Sequence, residues 1–307
     1  KDSQRDMVYL DANENPTNNE VNRYPDPQQK QLKHVLSKIK NVRHDTILLG
    51  NGSDEVLDLI IRAFCEPKDD NIITLPPTYG MYGVLSALNA IENREVVLLP
   101  NFQPDFDSIL KAIDTNTKLI FLCSPNNPTG NSFPDDIIES LLKIFKGIIV
   151  LDEAYIDFSE RESWLSRIEN YPNLVIVQTL SKAYGLAGIR LGLLYGSVDI
   201  IRVLNKIKPP YNINQLTQVR ALKELSDLPR INSIVQLIIN ERVRLVNEFE
   251  SIKFIKAIYP SDANFILVEV DNAEIRYKQL LENGIVVRNR SSQPLCNNCL
   301  RISVGTE

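Results

Sequence analysis

Gly147-Ile148-Ile149-Val150-Leu151-Asp152-Glu153-Ala154-Tyr155 decides the fold. Five small or apolar residues run without alternation into two acids and a tyrosine. A strand that is apolar at every position is covered on both faces, as in a parallel sheet held between helical layers. The same shape recurs on either side. Lys118-Leu119-Ile120-Phe121-Leu122-Cys123 runs into Ser124-Pro125-Asn126-Asn127-Pro128-Thr129-Gly130, and Leu174-Val175-Ile176-Val177-Gln178-Thr179 runs into Leu180-Ser181-Lys182. Open parallel sheets bind ligands beyond the carboxyl ends of their strands. An Asn, an Asp with a Tyr, and a Lys therefore converge on one crevice.

Outward from this centre the alternation continues. Ile47-Leu48-Leu49 leads into a helix over 54–65, whose Val56, Leu57, Ile60, Ile61 and Phe64 recur at helical spacing. Residues 71–75 read as a strand, followed by a helix over 79–88. Further strands are expected over 95–99 and 190–195, and a helix over 134–145. After Pro209-Pro210 the texture changes to long helical patterns over 215–225 and 231–249, then strands over 264–270, 284–288 and 300–304. The fold class is α/β, with a mostly parallel sheet in a large domain (26–229) and a smaller α+β C-terminal domain (230–307). The polar, Asn-rich, proline-marked residues 1–25 read as an arm.

The 307 residues suggest two domains, and 43% hydrophobic against 24% charged is ordinary for a globular core. The net charge of −5 argues against nucleic acid or an anionic membrane as partner. Charges interrupt every apolar run, so no membrane span is expected. The sequence opens on Lys1 rather than Met, so a preceding segment is expected. Four cysteines in a chain this long make no disulfide framework and point to a reducing compartment. Cys296 and Cys299 form one isolated C-x-x-C, short of a zinc or redox motif, and no metal is expected. His34 and His44 flank a Lys-rich helical stretch, and no G-x-S-x-G elbow exists, which excludes a Ser-His-Asp hydrolase.

A pyridoxal 5'-phosphate cofactor uses a lysine for a Schiff base and a carboxylate against its ring nitrogen. Lys182 and Asp152 supply these, and Tyr155 and Asn127 supply hydrogen bonds for the ring hydroxyl. Each has a plainer reading alone: a helix cap for Asp152, a solvated charge for Lys182, a turn for Asn127. Gly50-Asn51-Gly52-Ser53-Asp54 lies between strand and helix, where free N–H groups favour an anion. It is neither a Walker A loop nor G-x-G-x-x-G, which weakens a dinucleotide reading. Thr179, Ser181 and Arg190 add hydroxyl and guanidinium donors. Tyr79 follows another strand and either stacks on a flat ring or belongs to the core. Arg288 and Arg301 suit a carboxylate or phosphate, whereas surface charge remains open for Arg290.

These residues stand within longer runs: Leu10-Asp11-Ala12-Asn13-Glu14-Asn15-Pro16, Arg23-Tyr24-Pro25, Pro76-Pro77-Thr78-Tyr79-Gly80-Met81-Tyr82, and Leu300-Arg301-Ile302-Ser303-Val304-Gly305-Thr306. With them the whole chain resembles the histidinol-phosphate aminotransferases, a family of fold-type I pyridoxal-phosphate transferases. The resemblance implies a three-layer αβα large domain and reversible amino transfer between histidinol phosphate and 2-oxoglutarate, giving imidazole acetol phosphate and glutamate. It implies that Lys182 carries the cofactor and moves the proton, that Asp152 pairs with the ring nitrogen, and that Asn127 and Tyr155 hold the ring oxygen. Tyr79 would stack on the ring, and Ser53, Asp54, Thr179, Ser181 and Arg190 would hold the cofactor phosphate. Tyr24 would reach that phosphate from a second subunit, so a homodimer with shared active sites is expected, in the cytoplasm. Arg301 would take the α-carboxylate, Arg288 the substrate phosphate, and Asn13 and Tyr24 would line the substrate mouth beside Asn127.

Family members usually begin with a Pro-Tyr-containing segment that folds over the substrate and run slightly past the position of Glu307. This sequence is therefore expected to be the ordered core of a longer protein. The same resemblance leaves a rival on the same scaffold, a decarboxylase of the threonine-phosphate type. It would share the cofactor residues and differ in the substrate pocket.

Overall fold

The structure, a computed structural model, describes residues 8–306; residues 1–7 of the expected arm and Glu307 lie outside the described residues. Seven strands form the main sheet: β1 (Ile47–Asn51), β2 (Asn71–Thr74), β3 (Glu92–Glu95), β4 (Thr117–Cys123), β5 (Ile148–Asp152), β6 (Leu174–Thr179) and β7 (Leu191–Tyr195). Their spatial order is β1-β7-β6-β5-β4-β2-β3, parallel throughout except for β7, which runs antiparallel to both neighbours. A parallel return needs a crossover of a dozen or more residues, usually a helix. Between β6 and β7 lie only residues 180–190, with a single 3-10 turn, Ala187–Ile189, so the chain comes back antiparallel.

The continuous apolar runs divide their side chains between two cores. On β4, Leu119, Phe121 and Cys123 face one side with Val150, Val175 and Val177, while Ile120 and Leu122 face the other with Ile149, Leu151 and Ile176. The first side is covered by α2 (Ser53–Phe64), α3 (Met81–Leu88) and α6 (Val198–Ile207). The second is covered by α1 (Lys30–Lys40), α4 (Phe106–Ala112), α5 (Asp135–Ile144) and α7 (Gln215–Leu225). Helix α2 shows why: Val56, Leu57, Leu59, Ile60 and Ile61 are buried on one stripe. These layers are the αβα sandwich that the apolar runs predict.

A second sheet, order β10-β11-β9-β8, is antiparallel: β8 (Ile255–Ile258), β9 (Phe265–Val270), β10 (Arg288–Asn289) and β11 (Cys299–Ser303). Ile266, Val268 and Leu300 on one face pack against α8 (Leu228–Glu250) and α9 (Ala273–Glu282). The alternate residues face the other way, towards the main sheet.

Two expected strands move. The expected 95–99 strand is β3, Glu92–Glu95, and it is polar because it forms the sheet edge. The apolar residues after it continue the ladder only through Val96 and Leu98, whose N–H groups donate to the carbonyls of Thr74 and Pro76. The expected 284–288 strand shrinks to Arg288–Asn289, because Gly284 turns the chain at φ +77° and leaves Ile285 and Val286 exposed.

Candidate active site

Because β4, β5 and β6 are adjacent and parallel, their carboxyl ends deliver Asn127, Asp152 with Tyr155, and Lys182 to one edge. Antiparallel β7 begins at that same edge, which is how Arg190, one residue before it, arrives there. β1 lies beyond β7, so the Gly52-Ser53-Asp54 turn closes the far side. A cavity of about 130 Å³ opens between these loops, and ten of the fourteen residues singled out from sequence line it. They are Ser53, Asp54, Tyr79, Asn127, Asp152, Tyr155, Thr179, Ser181, Lys182 and Arg190; Cys123, Ala154 and Ala187 complete the wall.

Asp152 sits at the bottom, 3% exposed. Burial pushes its carboxyl up to about 6, against two hydrogen bonds that favour the charged form. One comes from the Tyr82 hydroxyl to Oδ2 (2.8 Å), the other from the Ala154 N–H to Oδ1 (3.1 Å). Tyr82 was not singled out from sequence, since at helical spacing it reads as core. Only its hydroxyl, needing a buried acceptor, hints at more. Lys182 remains open to the cavity, its Nζ 5.5 Å from the centre of the Tyr155 ring. Surrounding protein, and then the Arg301 charge, hold its amine below the ordinary lysine range, with Asp152 opposing. Tyr155 stands edge-on to Phe265 at 5.1 Å, and burial pushes its hydroxyl well up, so it is a neutral donor.

The turn before α2 is shaped for an anion. Gly52 has φ +84°, which favours glycine, and its N–H donates to the Arg190 carbonyl (2.9 Å). No side chain caps α2, so the first-turn N–H groups of Ser53 and Asp54 remain available. The Arg190 guanidinium stands over the turn, 3.7 Å from the Asp54 carboxylate, which also accepts from the Tyr79 hydroxyl (2.9 Å). Thr179 lines the cavity, but its hydroxyl donates to the Leu191 carbonyl (3.3 Å) and accepts the Ser181 N–H (3.1 Å). The cradle tolerates no bulk from β7. A Cβ on Gly192 would lie 2.3 Å from the Gly52 carbonyl carbon and 2.4 Å from the Ser53 nitrogen. Gly192→Ala is expected to cost about 2–3 kcal/mol of stability and to weaken anion binding at the turn. Chemical denaturation and phosphate titration check both; an unchanged midpoint with unchanged phosphate affinity would remove the turn from the site.

Arg301 and Arg288 face each other across β11 and β10, on the small-sheet face turned to the cavity. Arg301 donates to the Asn127 Oδ1 and lies 5.2 Å from the Phe265 ring centre. Arg290, left open from sequence, belongs with them: its N–H donates to the Cys299 carbonyl (2.8 Å), continuing the ladder, and its Nε is buried without a partner. Two other expected residues do not join the cavity within this chain. Tyr24 stacks on Tyr211 at 4.6 Å and shares with Asn13 a separate depression of about 470 Å³ beside the start of α7. His34 and His44 lie in a third depression, between α1 and α6. All four cysteines are free, buried thiols. Among the described residues, no helix is long and apolar enough to cross a membrane.

The family model for aminotransferase class I and II matches residues 5–307. The chain is 64% identical to histidinol-phosphate aminotransferase of Flavobacterium psychrophilum, over 100% of this chain and 88% of that protein. It superposes on the crystal structure of histidinol-phosphate aminotransferase from Clostridium acetobutylicum with a TM-score of 0.86 at 28% identity, covering 94% of this chain and 87% of the other. The enzyme of the same name from Sinorhizobium meliloti, solved with pyridoxal-5'-phosphate, gives a TM-score of 0.84 at 26% identity, covering 92% and 78%.

Proposed function

Since the chain belongs to the class I and II aminotransferases, we propose that it moves an amino group between histidinol phosphate and 2-oxoglutarate, giving imidazole acetol phosphate and glutamate, with pyridoxal 5'-phosphate as cofactor. The observation that carries this reading is the meeting of Lys182, Asp152, Tyr155, Asn127 and Arg190 around one cavity. The donor set fits the group: an amine, a buried carboxylate whose second oxygen is fixed by Tyr82, two ring-oxygen partners, and an uncapped helix start beneath a guanidinium.

The bound cofactor supplies an aldehyde that takes up the amino group and a ring that withdraws electrons from the substrate's α-carbon. Asp152, kept as a carboxylate by Tyr82 and the Ala154 N–H, holds a proton on the ring nitrogen. Asn127 and Tyr155 hold the ring oxygen. Tyr79 covers the ring face. Ser53, Asp54, Thr179, Ser181 and Arg190 surround the cofactor phosphate. The Lys182 amine, with its lowered pKa, would accept the α-proton at Nζ and pass it to the carbon of the cofactor's aldehyde group. Arg301 takes a substrate α-carboxylate and Arg288 the substrate phosphate.

The same reading makes the protein a cytoplasmic homodimer of histidine biosynthesis, with an arm (1–25), a large domain (26–229) and a small one (230–307). The arm supports it: Val8 and Leu10 are more than four-fifths exposed, an apolar edge suited to a second copy that would bring Tyr24 and Asn13 to this cavity.

The experiment is a half-reaction. Holoprotein mixed with histidinol phosphate should lose the absorbance of its aldehyde form and release imidazole acetol phosphate, and 2-oxoglutarate should reverse the spectral change. Carbon dioxide release from an amino-acid phosphate, with no response to histidinol phosphate, would favour the decarboxylase instead.

A further inference from the structure

The face of the small sheet turned to the cavity carries three guanidiniums. Arg288 lies directly opposite Arg301, a like-charge pair that a sheet disfavours. Arg290 follows two residues on, on the same face and about 6.5 Å further along the strand. Its backbone is held at both ends: its N–H donates to the Cys299 carbonyl (2.8 Å), and its carbonyl accepts the Gln293 N–H (2.9 Å). Among the described residues none of the three arginines has a carboxylate partner, and the Nε atoms of Arg290 and Arg301 are buried with no acceptor. Tyr155, in the cavity wall, senses the charges of both Arg301 and Arg290. A desolvated guanidinium without an acceptor is costly, so such a cluster points to an anion.

The substrates proposed above differ in their anions. Glutamate and 2-oxoglutarate bring two carboxylates, which two arginines satisfy. Histidinol phosphate brings no carboxylate but one phosphate, with two charges and three terminal oxygens. Neighbouring guanidiniums on one strand can share that group, each donating two N–H groups. Resting on that reading of the substrates, we propose that Arg290 is a specificity residue which, with Arg288, grips the phosphate of the phosphate-ester substrate and is dispensable for the dicarboxylates.

The test compares Arg290→Gln and Arg290→Lys holoenzymes with wild type in the two half-reactions. Arg290→Gln should raise the KM for histidinol phosphate about 10- to 100-fold, the loss of one charge-assisted contact, while the KM for glutamate moves less than about threefold. Arg290→Lys keeps the charge but not the fork, and should fall between. Inorganic phosphate, as competitor, should inhibit wild type more strongly than either variant. This arm serves with the lysine variant alone if glutamine impairs folding. An unchanged KM for histidinol phosphate, equal rises for both substrates, or unchanged phosphate inhibition would each overturn the assignment. A wild-type enzyme inert to histidinol phosphate would instead bring down the substrate reading on which it stands.

Discussion

Lys182→Ala is expected to lower transamination by at least about 10⁴-fold, because it removes the nucleophilic amine and the proton carrier together. On the proposed reading, one amine serves both roles. Nζ lies at the cavity wall beside Tyr155, and burial, with the nearby Arg301 charge, holds it below the ordinary lysine pKa. Among the described residues, no other lysine lines that cavity. The fold should survive, since Lys182 is open to the cavity and truncating it leaves no void in either core. Circular dichroism and melting should therefore match wild type while turnover disappears. A small primary amine in solution should restore part of the rate, because the missing group is an amine and the cavity is open. Near-normal turnover in this variant would sink the assignment outright.

Asp152→Asn should trade activity for stability. Burial pushes its carboxyl up to about 6 in the folded protein, against 3.8 for an ordinary aspartate. Between those values the folded state binds more protons than the unfolded one, so stability falls as pH rises from about 4 to about 6, and the penalty persists above. An asparagine carries no such penalty. Cofactor-free Asp152→Asn protein should thus exceed wild type by at most roughly 3 kcal/mol at pH 7 and by little at pH 4. Turnover should drop about 10²- to 10³-fold, since an amide cannot stabilise a charged ring nitrogen. Denaturant titrations at the two pH values, with turnover at pH 7, check both halves. A stability gap independent of pH would mean that burial does not move the Asp152 carboxyl from its ordinary value.

The legible features were those written in consecutive residues. Unbroken apolar runs such as 148–151 bury on both faces, so they announce a parallel sheet, and the polar residue that ends each run must stand at its edge. That places Asn127, Asp152 and Lys182 at one crevice. Strand limits were less legible at the edges. β3 is polar and β10 is two residues long, so neither has the apolar run that marks a buried strand.

Tyr82 and Arg290 show what local pattern conceals. Tyr82 occupies a core position of α3, and only the approach of β5 from 70 residues away gives its hydroxyl the Asp152 carboxylate as partner. Arg290 looks like any exposed charge until the pairing of β10 with β11 sets it beside Arg288 and Arg301. Tyr24 and Asn13 lie in a separate depression, Tyr24 stacked on Tyr211, and no local pattern marks that distance from the cavity.

By itself, then, the sequence determined the layered α/β architecture, the strand ends that meet at the cavity, and the family. Hydrophobic periodicity and short motifs are local, and burial acts on every residue of a run alike. Tertiary structure alone decided the direction of β7, the partner of Asp152, and the gathering of three arginines on one face. Those depend on which strands pair and in what register, an outcome set by packing between segments far apart in the chain.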